Sequence, residues 1–255
     1  MIGVIDSGIG GISVLREIYS HLPDHSLHYI GDTAWCPYGS KSYEEIISRT
    51  RVLTDYLLEQ GADLIVLACN SATIAAIEYL RAHYPIPFIG MEPGVKPAAK
   101  LTKSNAIGVL ATEASLSGEK FLRLVSTHAQ NLRVITQPCP RFVELVEAGT
   151  LDGPEIDFAI EQYIDPLIEA GVDVLILGCS HYPFLKEALR KRLPQKIQFI
   201  DTGEAIARRV EELKPFKNQN ASLVIQTTGP QEKFQQLLNL LAPELNSTCS
   251  TLHLS

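Results

Sequence analysis

The stretch GADLIVLACNSATIAA, residues 61–76, decides the fold. Leu64 to Ala68 is an unbroken apolar run. It does not alternate, which suits a parallel strand covered on both faces. The run ends in Cys69, Asn70 and Ser71, and a helical pattern follows at once. A strand that passes straight into a helix puts Cys69 at the carboxyl end of the strand, the edge where open α/β sheets bind ligands. A second stretch, GVDVLILGCSHYPFLKEALR at 171–190, repeats the layout 110 residues on, with Cys179 in place of Cys69.

The rest of the chain extends this pattern. Apolar runs at 2–5, 27–31, 86–89, 106–110, 132–136, 197–200 and 222–228 predict further strands. Helical patterns cover 11–20, 42–60, 71–83, 116–125, 155–170, 183–192 and 203–213, with one more after 228. Ser42-x-x-Glu45 predicts a capping box at the start of the second helix, and Gly61 its stop. The alternation predicts an α/β fold. IGVI at 2–5 is echoed by IGVL at 107–110, which, with the two cysteine stretches, predicts two similar lobes with mostly parallel sheets and an active site in the cleft between them. The first lobe is expected to comprise residues 1–95 plus 212–255, and the second 96–211. The Pro-, Gly- and Lys-containing segment 91–105 reads as the junction, and the polar tail after 245 as poorly ordered.

The chain has 255 residues, enough to bury a sizeable core. Its net charge of -7 and lack of a Lys/Arg-rich block argue against nucleic acid as a partner. No run reaches the ~18 apolar residues of a membrane span. The first residues lack a signal-peptide pattern, so a cytoplasmic location is expected. Five widely spaced cysteines, Cys36, Cys69, Cys139, Cys179 and Cys249, do not suggest a disulfide framework, and without a C-x-x-C a structural zinc site has no support.

Helix N-termini carry unpaired N–H groups and a partial positive charge. Both favour a thiolate at Cys69 and Cys179 over the free thiol, whose pKa is about 8.5. They also favour a bound carboxylate, with Asn70, Ser71, Thr73 and Ser180 as short donors. A small cysteine at such a place can simply fill core space while Asn and Ser cap the helix. Two of them at matching places in two lobes point instead to a symmetric task. One thiolate removes a proton from carbon, the opposing thiol returns one to the other face, and a stereocentre inverts without a cofactor. Asp6, at the end of the first strand, and His181, two residues past Cys179, are the neighbours suited to manage thiol protonation. Asp6 also suits a helix cap, and His181 an ordinary core histidine.

DSGIGGIS at 6–13, with Asp32 closing the next strand, echoes a dinucleotide fingerprint, but Ser13 occupies the place of the third glycine and Asp6 would oppose a pyrophosphate. The glycines fit a backbone that approaches a small ligand, with Ser7 offering a hydroxyl. In GDTAWCPYGSKSYEE the segment from Pro37 to Ser40 has turn chemistry. There Tyr38 and the Gly39 and Ser40 amides suit a second carboxylate, and Asp32 is expected among the substrate-binding residues. Cys36 lacks a helix start and a partner.

DSGIGG, GDTAWCPYG, LACNSAT, GVLAT, LVEAG, LGCSHYP, DTGEAIA and TTG occur in this order from residue 2 to about 229. This set resembles the motifs of the glutamate racemase branch of the cofactor-independent aspartate/glutamate racemase family. The resemblance implies Cys69 as the base toward D-glutamate and Cys179 as the base toward L-glutamate, assisted by Asp6 and His181, with Glu147 as a further helper. It implies substrate contacts from Ser7, Tyr38, Gly39, Asn70, Ser71, Ser115 and Ser180. It also implies a product used in bacterial peptidoglycan synthesis, no cofactor or metal, and a homodimer. Ser71, Ser115 and Ser180 stand where relatives usually carry Thr; each keeps a hydroxyl but is freer at χ1. Trp35 replaces a usual Arg, exchanging a cation for an indole. The alternatives are an aspartate or broader amino-acid racemase with the same machinery, and a regulatory protein that binds metal through Cys69, Cys179, His181 and Asp6.

Overall fold

The computed structural model describes residues 1–214 and 221–254. Residues 215–220 and 255, within the C-terminal span assigned to the first lobe, lie outside the described residues. The chain forms two compact units, Met1–Met91 with Gly203–Ser255, and Glu92–Thr202.

The first unit opens with β1 (Ile2–Asp6), α1 (Ile12–His21), β2 (Leu27–Gly31) and α2 (Tyr43–Glu59). It continues through β3 (Leu64–Leu67), α3 (Asn70–His83) and β4 (Phe88–Gly90). The second unit contains α4 (Val95–Leu101), β5 (Ala106–Ala111), α5 (Glu113–Ser117), α6 (Glu119–His128), β6 (Arg133–Pro138) and α7 (Pro140–Glu147). It is completed by α8 (Pro154–Tyr163), α9 (Asp165–Glu169), β7 (Val174–Gly178), α10 (Lys186–Arg192) and β8 (Gln198–Ile200). The chain then returns to the first unit with α11 (Gly203–Leu213), β9 (Leu223–Thr227), α12 (Gln231–Leu241) and β10 (Cys249–Thr251).

Both sheets are parallel, and the loose sequence repeat becomes a repeat of topology. The first sheet runs β10-β9-β2-β1-β3-β4 and the second β6-β5-β7-β8. β2-β1-β3-β4 and β6-β5-β7-β8 therefore have the same order, and the cysteine-bearing β3 and β7 hold equivalent places. Every residue of β1, β2, β3, β5 and β7 is buried, as continuous apolar runs require. Fully burying one Leu, Ile or Val contributes about 1.5–3 kcal/mol, and this central layer fixes where the strands end. Pairing of Ile5 with Leu67 sets Asp6 beside the residues that lead to Cys69. Pairing of Ala111 with Gly178 sets Thr112 beside Cys179.

The capping box forms as expected. Glu45 N–H donates to Ser42 Oγ at 3.2 Å, and Ser42 N–H donates to Glu45 Oε2 at 2.9 Å. Gly61, at φ +88°, follows the helix end. The junction segment is more ordered than its composition suggests. It contains α4, because Pro97 falls in the first turn, where its missing N–H has no partner to lose. The expected helix 116–125 is displaced and broken at Gly118, and 155–170 is divided at Ile164.

The polar tail is a correction. Its β10 pairs with β9, Cys249 is buried, Ser250 is exposed, and Leu252 joins the apolar cluster of Leu57, Ile65 and Phe88. Alternation at a sheet edge lets a polar segment make a strand. Helix α11 belongs to the first unit, where it packs on α1, so the chain re-enters that unit at Gly203, nine residues before the expected boundary at 212. Among the described residues, no helix is long and apolar enough to cross a membrane.

Candidate active site

In the first unit, Cys69 is the N-cap of α3. Its Sγ accepts a hydrogen bond from Ala72 N–H at 3.5 Å, and its S–H faces Ser7 Oγ at 3.6 Å. An N–H and a helix N-terminus directed at sulfur both lower the cost of a thiolate. Asp6 is wholly buried and accepts from Gly8 N–H at 2.9 Å. The N-cap of α1 is Gly11, which has no side chain to cap the helix. Gly11 is required there, since a Cβ would stand 2.4 Å from Asp6 Cβ.

Asn70 and Ser71 open α3 and are almost completely buried. Among the described residues, neither amide atom of Asn70 has a hydrogen-bond partner. Leaving a buried amide unsatisfied costs roughly 1–3 kcal/mol. Thr73 serves the scaffold instead. Its hydroxyl donates to Leu67 O at 3.3 Å and accepts from Met91 N–H at 2.9 Å.

Tyr38 is buried, and its ring packs with Ile46, Ala72 and Cys69. Its hydroxyl donates to Asp32 Oδ2 at 2.6 Å. Burial, followed by the Asp32 charge and hydrogen bond, raises the Tyr38 pKa well above its usual value, so the phenol stays neutral and donating. Asp32 also accepts from Arg49 Nε at 2.8 Å, Arg49 Nη2 at 2.7 Å and Thr228 Oγ1 at 2.7 Å. Each carboxylate oxygen thus accepts two bonds, which fills its capacity. Gly39 lies beside Tyr38 in a short 3-10 turn, Tyr38–Ser40.

In the second unit, Cys179 is buried and lies 3.7 Å from His181 Nδ1. The other ring nitrogen, Nε2, lies 2.8 Å from Glu147 Oε1 at the end of α7. Burial is the largest influence on His181 and lowers its pKa. The hydrogen bonds and charges of Cys179 and Glu147 together outweigh it, and the pKa is raised well above the usual value. The imidazole nitrogen that faces the sulfur is thus the one not engaged by Glu147. The sequence predicts a helix over 183–192, but Ser180 and His181 form a turn into a 3-10 segment, Tyr182–Leu185, and the α-helix starts only at α10. The two thiols are therefore supported differently, Cys69 by a helix N-terminus and Cys179 by a His–Glu pair. Ser180 is buried beside Cys179. Ser115 is buried in α5, and its hydroxyl shares a 2.8 Å hydrogen bond with Thr112 Oγ1.

Neither Arg49 nor Thr228 stands out in the sequence as a functional residue. Their partner Asp32 is 17 and 196 residues away, so no local pattern reveals the pairing. Only the TTG motif, quoted without a role, marked the place.

These thiols stand in a chain whose residues 2–210 match the Asp/Glu/hydantoin racemase model. The chain belongs to the Asp/Glu/hydantoin racemase family. Within this family it is 47% identical over 249 residues to a glutamate racemase of Ectopseudomonas mendocina, covering 95% of each chain. It is 50% identical over 213 residues to one from Pseudomonas aeruginosa, covering 83% of this chain and 80% of the relative. Its structure resembles the crystal structure of Escherichia coli glutamate racemase in complex with L-glutamate and the activator UDP-MurNAc-ala. The TM-score is 0.87 at 30% identity, covering 100% of this chain and 98% of that one.

Proposed function

We propose that the chain interconverts L- and D-glutamate by two-base proton transfer at the α-carbon, supplying D-glutamate for peptidoglycan synthesis. The observation that carries this reading is the pair of cysteines at equivalent strand ends of a duplicated sheet, each with a polar partner at its sulfur, the Ala72 N–H at Cys69 and His181 at Cys179.

The reaction needs a base and an acid on opposite faces of one carbon. In the proposed cycle, the Cys69 thiolate takes the α-proton of D-glutamate. The Cα–H bond breaks, an S–H bond forms, and the electron pair moves toward the substrate carboxylate. The Cys179 thiol then gives its proton to the opposite face and becomes the thiolate. L-glutamate follows the reverse course. Asp6 assists Cys69. His181, held by Glu147, assists Cys179, and a retained imidazolium stabilises its thiolate. Asn70, Ser71 and Ser7 offer hydrogen bonds to substrate in the first unit. Ser180 and Ser115 do so in the second, and Tyr38 with Gly39 lines the site. The mechanism calls for no cofactor or metal, because thiols and their assistants supply both acid and base. Asp32, with its acceptor capacity filled, acts through Tyr38.

Aspartate as the main substrate is not favoured, since the curated relatives at 47–50% identity are glutamate racemases. A homodimer and a cytoplasmic location complete the proposal, supported by the family resemblance.

The test is circular dichroism of L- and D-glutamate in deuterated water with purified protein and no added cofactor, with aspartate as control. Both glutamate signals decay to zero, deuterium enters the α-carbon, and aspartate reacts far more slowly. Persistent optical activity of glutamate defeats the reading.

A further inference from the structure

Asp32 joins three parts of the first unit. Its carboxylate receives the Tyr38 hydroxyl from its own loop, the Arg49 guanidinium from α2, and the Thr228 hydroxyl from the segment after β9. The Arg49 contact is bidentate, the geometry in which a planar guanidinium fixes orientation as well as charge. Thr228 ties the loop a second time, because its hydroxyl accepts from Ala34 N–H at 3.1 Å and its own N–H donates to Gly31 O at 3.1 Å. Thr33 and Thr227 share a 2.6 Å hydrogen bond, and a Cβ at Gly229 would stand 2.4 Å from Thr33 Oγ1. The TTG motif is thus a clamp on the loop that carries Tyr38.

Trp35 covers this clamp. Its ring centroid lies 5.3 Å from Arg49 Cζ and 5.3 Å from Lys41 Nζ, within cation–π range. The indole is 37% exposed and is the chain's single tryptophan. The aromatic face shields the cation that Asp32 needs, so a Trp at this position has a definite task.

We propose that Asp32, gripped by Arg49 and Thr228 and covered by Trp35, is a positioning residue that seats Tyr38 and its loop against Cys69. The kinetic part rests on the racemase reading; the seating of the loop does not. A loosened loop weakens substrate binding more than proton transfer, because the Asp32 carboxylate is fully engaged by Tyr38, Arg49 and Thr228 and acts through Tyr38.

The experiment uses full-length Arg49→Lys, Thr228→Val and Thr228→Ser proteins, with glutamate kinetics, thermal melting and Trp35 fluorescence. Arg49→Lys keeps the charge but loses the fork. It raises KM for glutamate about tenfold, the worth of one charge-assisted hydrogen bond, with kcat changed less than about threefold. Its emission moves to longer wavelength as the indole leaves its cation. Thr228→Val raises KM and shifts emission in the same sense, and Thr228→Ser restores both. Should Arg49→Lys fail to fold, the Thr228 pair decides. Unchanged KM and emission in Thr228→Val overturn the proposal. So does a fall in kcat and melting temperature at constant KM, which assigns the cluster to stability alone. If the wild-type protein does not racemise glutamate, the functional reading fails, and the emission shift with its rescue by Ser still judges the loop's seating.

Discussion

Glu147 Oε1 lies 2.8 Å from His181 Nε2, leaving Nδ1 of the same ring directed at Cys179 Sγ, 3.7 Å away. The carboxylate therefore fixes the ring and supports its charge, while the ring supports the thiolate. Glu147→Gln keeps the shape and removes the charge. The His181 pKa then falls, and each pH unit of that fall costs about tenfold in imidazolium at a pH above it. The prediction is a descending alkaline limb of kcat/KM displaced to lower pH. A pH–rate profile with the wild-type alkaline limb rules out this role for Glu147.

The same pair predicts how stability depends on pH. The folded-state pKa of His181 is raised, despite burial, by its hydrogen bonds and the charges of Cys179 and Glu147. The native state then binds this proton more tightly than the unfolded chain, so stability falls as pH rises. The contribution is fully present below the unfolded value of about 6.5 and is lost as pH climbs through the raised folded value. Urea unfolding of wild type and His181→Gln over a pH series is expected to show a stability gap that narrows as pH rises. A gap that widens contradicts the sign.

Much of this is legible in local sequence. Unbroken apolar runs gave buried parallel strands, and Ser42 and Glu45 gave the helix start they form. The echo of Cys69 in Cys179 gave the repeated sheet order. Features set by distant partners were not legible. Arg49 and Thr228 meet Asp32 only once β2, α2 and β9 are packed. The β10 strand exists because β9 offers an edge and Leu252 finds a core, although its own residues are polar. The 3-10 turn after Cys179 is not separable in sequence from a helix over 183–192, because Pro183 and the apolar residues around it fit either geometry.

The two thiols are separable by isotope exchange. Enantiomers have equal free energy, so kcat/KM must be equal in the two directions, even in a variant. Exchange with solvent is not so constrained. In Cys179→Ala, Cys69 is expected to exchange the α-proton of D-glutamate for deuterium with retention, while L-glutamate stays unlabelled. Cys69→Ser, which keeps an N-cap atom for Ala72 N–H, is expected to show the reverse. Racemisation falls by at least the ~10²–10⁴-fold that a positioned acid or base contributes. NMR of the recovered enantiomers reads the pattern, and label entering the wrong enantiomer overturns the assignment of bases.

Asn70 gives the sharpest separation of function from stability. Both polar atoms of its amide are buried without a partner among the described residues, at the first turn of a helix where Ala is a better residue. Removing an unsatisfied amide recovers part of the roughly 1–3 kcal/mol it costs, set against the small cavity left behind. Asn70→Ala is therefore expected to melt at or above the wild-type temperature. Glutamate, which stabilises any native state that binds it, raises the wild-type melting temperature but leaves the variant's almost unchanged. Thermal melts with and without glutamate measure both effects. An Asn70→Ala protein that is less stable, yet gains as much from glutamate as the wild type, makes Asn70 a structural residue and removes it from the site.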